Sequence, residues 1–103
     1  MGLTRTLGRR AVIGIREVGG LQLVAFADAR AFLDACVAAG VLVLGIEGFY
    51  FENGQVRPDM GAIADFSQMT SSEESVLEAR TFIEVVGRSE MLFDFMLSEE
   101  VIA

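Results

Sequence analysis

Val41-Leu42-Val43-Leu44-Gly45-Ile46-Glu47-Gly48-Phe49-Tyr50-Phe51 is apolar at both alternating positions over its first half. That is the pattern of a strand buried on both faces. One charge, Glu47, lies between Gly45 and Gly48. Asn53-Gly54 follows, a dipeptide strongly favoured in tight hairpin turns because its residues tolerate positive φ. A central strand therefore leaves the core and folds straight back.

Upstream, Asp28–Ala39 carries Ala29, Phe32, Leu33, Cys36 and Val37 at helical spacing, giving one apolar stripe. Arg30 and Asp34 fall on the far side, Asp28 suits the N-cap, and Gly40 suits the left-handed residue that ends a helix. Before it, Leu21–Phe26 has the length and alternation of a strand, with Leu21, Leu23 and Ala25 on one face. Gly19-Gly20 is a break. Ala11–Val18 fits neither period, and Leu3–Arg10 reads as a short basic helix.

Downstream, Gln55–Pro58 reads as a short polar return arm, and Pro58, lacking an N–H, marks a sheet edge. Asp59–Thr70 reads as irregular, with Ile63 and Phe66 pinned to the core. Ser71-Ser72-Glu73-Glu74 is a capping box opening a helix that runs to Gly87, with Val76, Ala79, Phe82, Ile83 and Val86 facing inward. Met91–Leu97 is a last strand, apolar on both faces except at Asp94, and Glu99 and Glu100 begin a tail.

This order of elements is that of the ferredoxin-like split βαβ domain. That topology buries its third strand, whereas the return arm here is polar and proline-bearing. The expectation is one α+β domain over residues 1–103: a small mixed sheet of about four strands, two main helices on one face, and Val41–Phe51 and Met91–Leu97 at its centre.

With 52% hydrophobic residues the chain can bury a core, and no apolar run approaches the roughly 18 residues that suggest a membrane span. Met1–Arg10 makes a poor signal peptide, so a cytoplasmic setting is expected. Histidine is absent and Cys36 is the single cysteine, which argues against histidine-based triads and cysteine-based metal sites; no cofactor or metal is expected. The net charge is −7 and all eight basic residues are arginine. Such a domain is repelled by nucleic acid and anionic membranes and steered toward basic proteins.

Four features bear on chemistry. Glu47 and Asp94 are the only charges in the two most apolar strands; as neighbours they become a carboxylate pair able to share acid and base roles, or they point to solvent on an uncovered face. Gly45–Gly48 lies inside a strand and lacks a phosphate-loop lysine, so its glycines read as close-packing positions under a helix. Ser67, Ser71, Ser72 and Ser75 read as caps and surface residues, and Cys36 as a buried, inert thiol. Glu73, Glu74, Glu78 and Glu84 follow the exposed side of the second main helix. With Glu47, Glu52, Asp59 and Asp65 they form either an acidic surface around the hairpin end or a solvated face.

Together the pieces resemble a family of small immunity proteins of bacterial polymorphic toxin systems. The resemblance rests on Gly14–Gly19 (Gly-Ile-Arg-Glu-Val-Gly), Val24-Ala25-Phe26, the alanine-rich helix running into Val41–Tyr50, the Asn-Gly turn with Arg57-Pro58-Asp59, and the helix bearing Ser75, Ala79, Phe82 and Ile83. Glu47 fills the family's acidic position after Leu-Gly, while Asp59-Met60-Gly61 stands where the family tends to have an Asp-Asn-Trp-like segment. The resemblance implies a cytoplasmic protein that binds and blocks a cognate toxin, a basic nuclease being a natural target, without catalysis of its own. Glu47, Glu52, Asp59, Asp65, Glu74 and Glu78 are the expected partner-binding residues. The alternatives are an oligomerisation module pairing through an exposed strand edge and a small enzyme using Glu47 and Asp94.

Overall fold

A computed structural model describes residues 2–98, so the acidic tail at Glu99 and Glu100 lies outside the described residues. Three α-helices, α1 (Leu3–Ala11), α2 (Ala29–Ala39) and α3 (Ser72–Val86), pack with strands β1 (Arg16–Val18), β2 (Leu21–Ala25), β3 (Val43–Glu52), β4 (Gln55–Asp65) and β5 (Met91–Leu97). The strand order is β1-β2-β5-β3-β4, and every neighbouring pair is antiparallel. The fold is α+β as expected, but the sheet is antiparallel and not mixed. Its fifth strand, β1, is three residues closed onto β2 by Gly19-Gly20, both at positive φ.

The two helical connections interleave. The β2–α2–β3 connection steps over β5, and the β4–α3–β5 connection steps over β3. The most apolar strands, β3 and β5, are thereby interior and β4 is an edge, as the polar character of Gln55–Pro58 requires.

The helices form where their apolar stripes can be buried. Phe32, Leu33 and Cys36 of α2, Val76, Ala79 and Ile83 of α3, and Leu7 of α1 join Val24, Val43, Ile46, Ala62, Met91, Phe93 and Phe95 of the sheet in one buried cluster. All three helices therefore lie on one face. Phe32 stacks on Phe95 with ring centroids 4.9 Å apart. Burying each such large side chain contributes about 1.5–3 kcal/mol. Gly40 ends α2 at φ 69°, and the Val41 amide reaches back to the Cys36 carbonyl. The Ser71 hydroxyl accepts from the Glu74 amide at 3.1 Å, which is the serine half of the capping box read from sequence. Asp28 makes no such cap: a 3-10 turn, Phe26–Asp28, leads straight into α2 and leaves its side chain without a capping bond. Among the described residues no helix is long and apolar enough to cross a membrane.

The expected irregular segment after Pro58 is a correction. The β4 strand continues to Asp65, paired through Ile63, Ala64 and Asp65 to Glu47, Ile46 and Gly45. Between Pro58, opposite Phe49, and Ile63, opposite Glu47, four residues bulge past Gly48. Asp59 closes the bulge by accepting the Gly61 amide at 2.9 Å. Gly48 makes room for it, since a Cβ there would lie 2.8 Å from both the Ala62 Cβ and the Met91 Cε. The glycines of β3 thus accommodate neighbouring strands, not a helix. The bulge also turns Ile63 outward, 45% exposed, while Phe66 does reach the core and meets Phe82 edge-on.

Candidate functional site

The reverse face of the sheet carries none of the three helices. A smaller cluster of Leu23, Phe49 and Leu92, with Val18, Leu21, Ala25 and Val56, covers part of it. Around that cluster Phe51, Ile63 and Met96 stand 40–45% exposed. Glu47 alternates with the core-facing Ile46 and so points to this face, and Asp94 of β5 lies directly opposite it. Cross-strand partners hold their Cβ atoms about 4.5–5.5 Å apart.

Strand register extends this pair into a row. Ile63 of β4 pairs with Glu47, and Arg16 of β1 pairs with Leu23 of β2. The Val24–Phe93 and Ala25–Leu92 pairs bring Leu23 next to Asp94. Across the sheet the row reads Arg16, Leu23, Asp94, Glu47, Ile63: two adjacent acids between two apolar residues. Burial first, and then the Glu47 charge, push the Asp94 carboxyl above its ordinary value. Among the described residues no ion pair reaches either carboxylate; the pairs present are Arg5–Glu17, Arg30–Glu84 and Arg80–Asp34.

The other expected site residues are dispersed. Asp65 is on β4 opposite Gly45, two residues from Ile63. Its carboxylate accepts the Ser67 amide at 2.8 Å, and the Ser67 bonds hold it below the usual carboxylate range. Glu52 is exposed beside the hairpin turn. Asp59 sits in the bulge on the Tyr50 side, where desolvation and then the Asp59 charge raise the Tyr50 phenol. Glu74 and Glu78 are exposed on α3, in the helical layer. The first turns of α3 meet the beginning of β3, where the Val43 amide donates to Ser75, so these glutamates lie at the opposite end of β3 from the hairpin. The expected single acidic surface around the hairpin end is therefore divided between two layers and two ends of the sheet.

Two sets of interactions are not legible in the sequence: the ion pairs between α2 and α3, and the hydrogen bonds of Ser75. Arg30 and Asp34 each bond across to α3, to Glu84 at 3.6 Å and Arg80 at 2.6 Å, because Arg80 and Glu84 share their four-residue spacing. Ser75 is fully buried: its hydroxyl accepts from the Val43 amide and donates to the Ser72 carbonyl, both at 3.0 Å. A serine on the same stripe as Val76 and Ala79 was the available signal. Cys36 is buried as expected, and desolvation pushes its thiol up to about 12, which removes it as a nucleophile. Among the described residues no three His, Cys, Asp or Glu side chains gather as a metal site.

Comparison of the chain with protein-family models, curated proteins and solved structures gave no match.

Proposed function

We propose that this protein is a stoichiometric binding protein of the immunity type, which inhibits a basic toxin partner without turnover. The observation carrying this reading is the sheet face that no described helix covers, where Ile63 and Met96 remain exposed beside Glu47 and Asp94 and Phe51 farther along β3. Exposed apolar side chains ringed by charge are the composition of a protein-binding surface. The net charge of −7 supplies long-range attraction for a basic partner. The likeness of Val41–Tyr50 and its flanking segments to immunity proteins supports the same class.

The opposed Glu47 and Asp94 favour a second reading, acid–base catalysis. Their setting is a sheet face, whereas active sites are concave and desolvate their substrates. A cavity of about 170 Å³ lies instead between α2 and α3, lined by Phe26, Leu33 and Ile83 with Arg30, Arg80 and Glu84 at its polar parts. Binding is the better account. Pairing through the β4 edge is opposed by Pro58 and by the bulge, both devices that blunt an edge.

The test is calorimetric titration against the purified product of the adjacent gene. A saturable one-to-one complex that weakens as salt rises is expected. Heat-silent mixing at low salt, or turnover of a substrate that disappears in Asp94→Asn, overturns the reading.

A further inference from the structure

Resting on the binding reading above, we infer that Glu47 and Asp94 together form a socket for one arginine or lysine side chain of a basic protein partner docked on the uncovered sheet face. Three observations lead there. The carboxylates face each other in register, an arrangement of like charges that costs stability unless a cation joins them. Their surroundings are apolar, with Leu23 on one side, Ile63 on the other, and Phe49 and Leu92 in the next row. Among the described residues no cation of the chain pairs with either acid. Arg5, Arg30 and Arg80 are paired with other acids, and Arg16, at the end of the row, is two strand spacings, roughly 10 Å, from Asp94 with Leu23 between.

A guanidinium suits this place because it offers donors to two carboxylates at once. The half-exposed Ile63, opposite Glu47, and Met96, two residues beyond Asp94, would close around it, and excluding water there strengthens the contact. A second copy is a poorer occupant. A two-fold interface centred on the pair sets carboxylates against carboxylates.

Two measurements test the socket. In the first, the side-chain carboxyl carbons of the intact protein are followed by NMR during titration with n-butylguanidinium chloride, with tetramethylammonium chloride as control. Saturating shifts at Glu47 and Asp94, absent at Asp28 and absent with the control salt, are expected. Equal, non-saturating shifts at all three acids overturn the inference. In the second, the adjacent gene product is titrated with Glu47→Gln/Asp94→Asn and with Asp28→Asn. The double variant should bind about 30-fold or more weaker, chiefly through faster dissociation. Asp28→Asn, whose side chain makes no capping bond, should stay within about 3-fold. A complex as tight with the double variant as with the wild type overturns the socket and leaves the binding function standing. A wild type that forms no complex overturns the function, and the socket is then decided by the n-butylguanidinium titration. A dimer in sedimentation that Met96→Glu disperses means a second copy occupies the face, which also overturns the inference.

Discussion

The Ser75 hydroxyl on α3 accepts the amide hydrogen of Val43, the first residue of β3, at 3.0 Å in the dry interior. It thereby fixes where the longest helix meets an interior strand. Ser75→Ala removes the acceptor and leaves a buried N–H without a partner. The expected cost is about 1–3 kcal/mol, read as a lower urea midpoint at unchanged slope. An unchanged midpoint would mean that water reaches Val43.

Val12 should behave in the opposite way. It ends α1 at φ 58° and ψ 47°, a left-handed conformation that a β-branched residue adopts only under strain, and its side chain is 89% exposed. Removing the side chain therefore loses almost no burial. Val12→Gly relieves the steric strain but gives the unfolded chain more freedom, for a net gain of about 1 kcal/mol. Val12→Asn should also stabilise. Thermal melts check this, and a lower Tm for both variants would contradict the strain argument.

Cys36 tests the packing of α2. Its thiol is buried and pushed up to about 12 by desolvation, so neither access nor thiolate is present in the native protein. Labelling with a chromogenic disulfide should be slow at neutral pH and accelerate steeply across the unfolding transition. Native-state labelling at the denatured rate would require α2 to open locally.

What the sequence disclosed follows from the range over which each signal acts. The stripes Phe32-Leu33-Cys36 and Val76-Ala79-Ile83, the Ser71 cap and the Gly40 stop are local, and all are present in the structure. The central place of β3 and β5 was legible because both faces of a buried strand must be apolar. The extent of β4 was hidden because the four-residue bulge opposite Gly48 breaks the alternation on which strand reading depends. The buried role of Ser75 is not legible locally because its partner, the Val43 amide, lies 32 residues away. For the site, Glu47 and Asp94 were identifiable as charges in apolar strands. Only the register placed them opposite each other, and only the helix layer set Glu74 and Glu78 apart from them.

Association kinetics should separate these two acidic groups. Glu74 and Glu78 are exposed on α3, away from the uncovered face, so they contribute to the field that steers encounter. Glu74→Gln/Glu78→Gln should slow association with the adjacent gene product by about 2- to 5-fold at low salt, with dissociation nearly unchanged. Stopped-flow mixing at two salt concentrations measures both rates. Faster dissociation in this variant would place α3 inside the interface.

The Glu47–Asp94 pair should reveal itself through stability and binding moving in opposite directions. Asp94 is raised above its ordinary value of 3.8, so the folded protein holds that proton more tightly than the unfolded chain does. The resulting stability is fully present below the ordinary value and is lost as pH rises through the raised one. At neutral pH the ionised Asp94 is therefore a burden on the fold. The acid directly facing Asp94 is Glu47 on β3, and the cation of its row, Arg16 on β1, stands beyond Leu23. Both Asp94→Asn and Glu47→Gln should raise stability at neutral pH, by about 0.5 kcal/mol because the pair is partly solvated. For Asp94→Asn the advantage should vanish below the ordinary aspartate value, where the wild-type group is already neutral. Urea titrations of wild type and both variants at the two pH values measure this difference directly. Acids such as Asp65, held low by the Ser67 bonds, lose stability on acidification in every variant and so cancel in the comparison. A carboxylate pair kept for structure would lose stability when neutralised. One kept for a partner's cation should gain stability and lose affinity in the same variant.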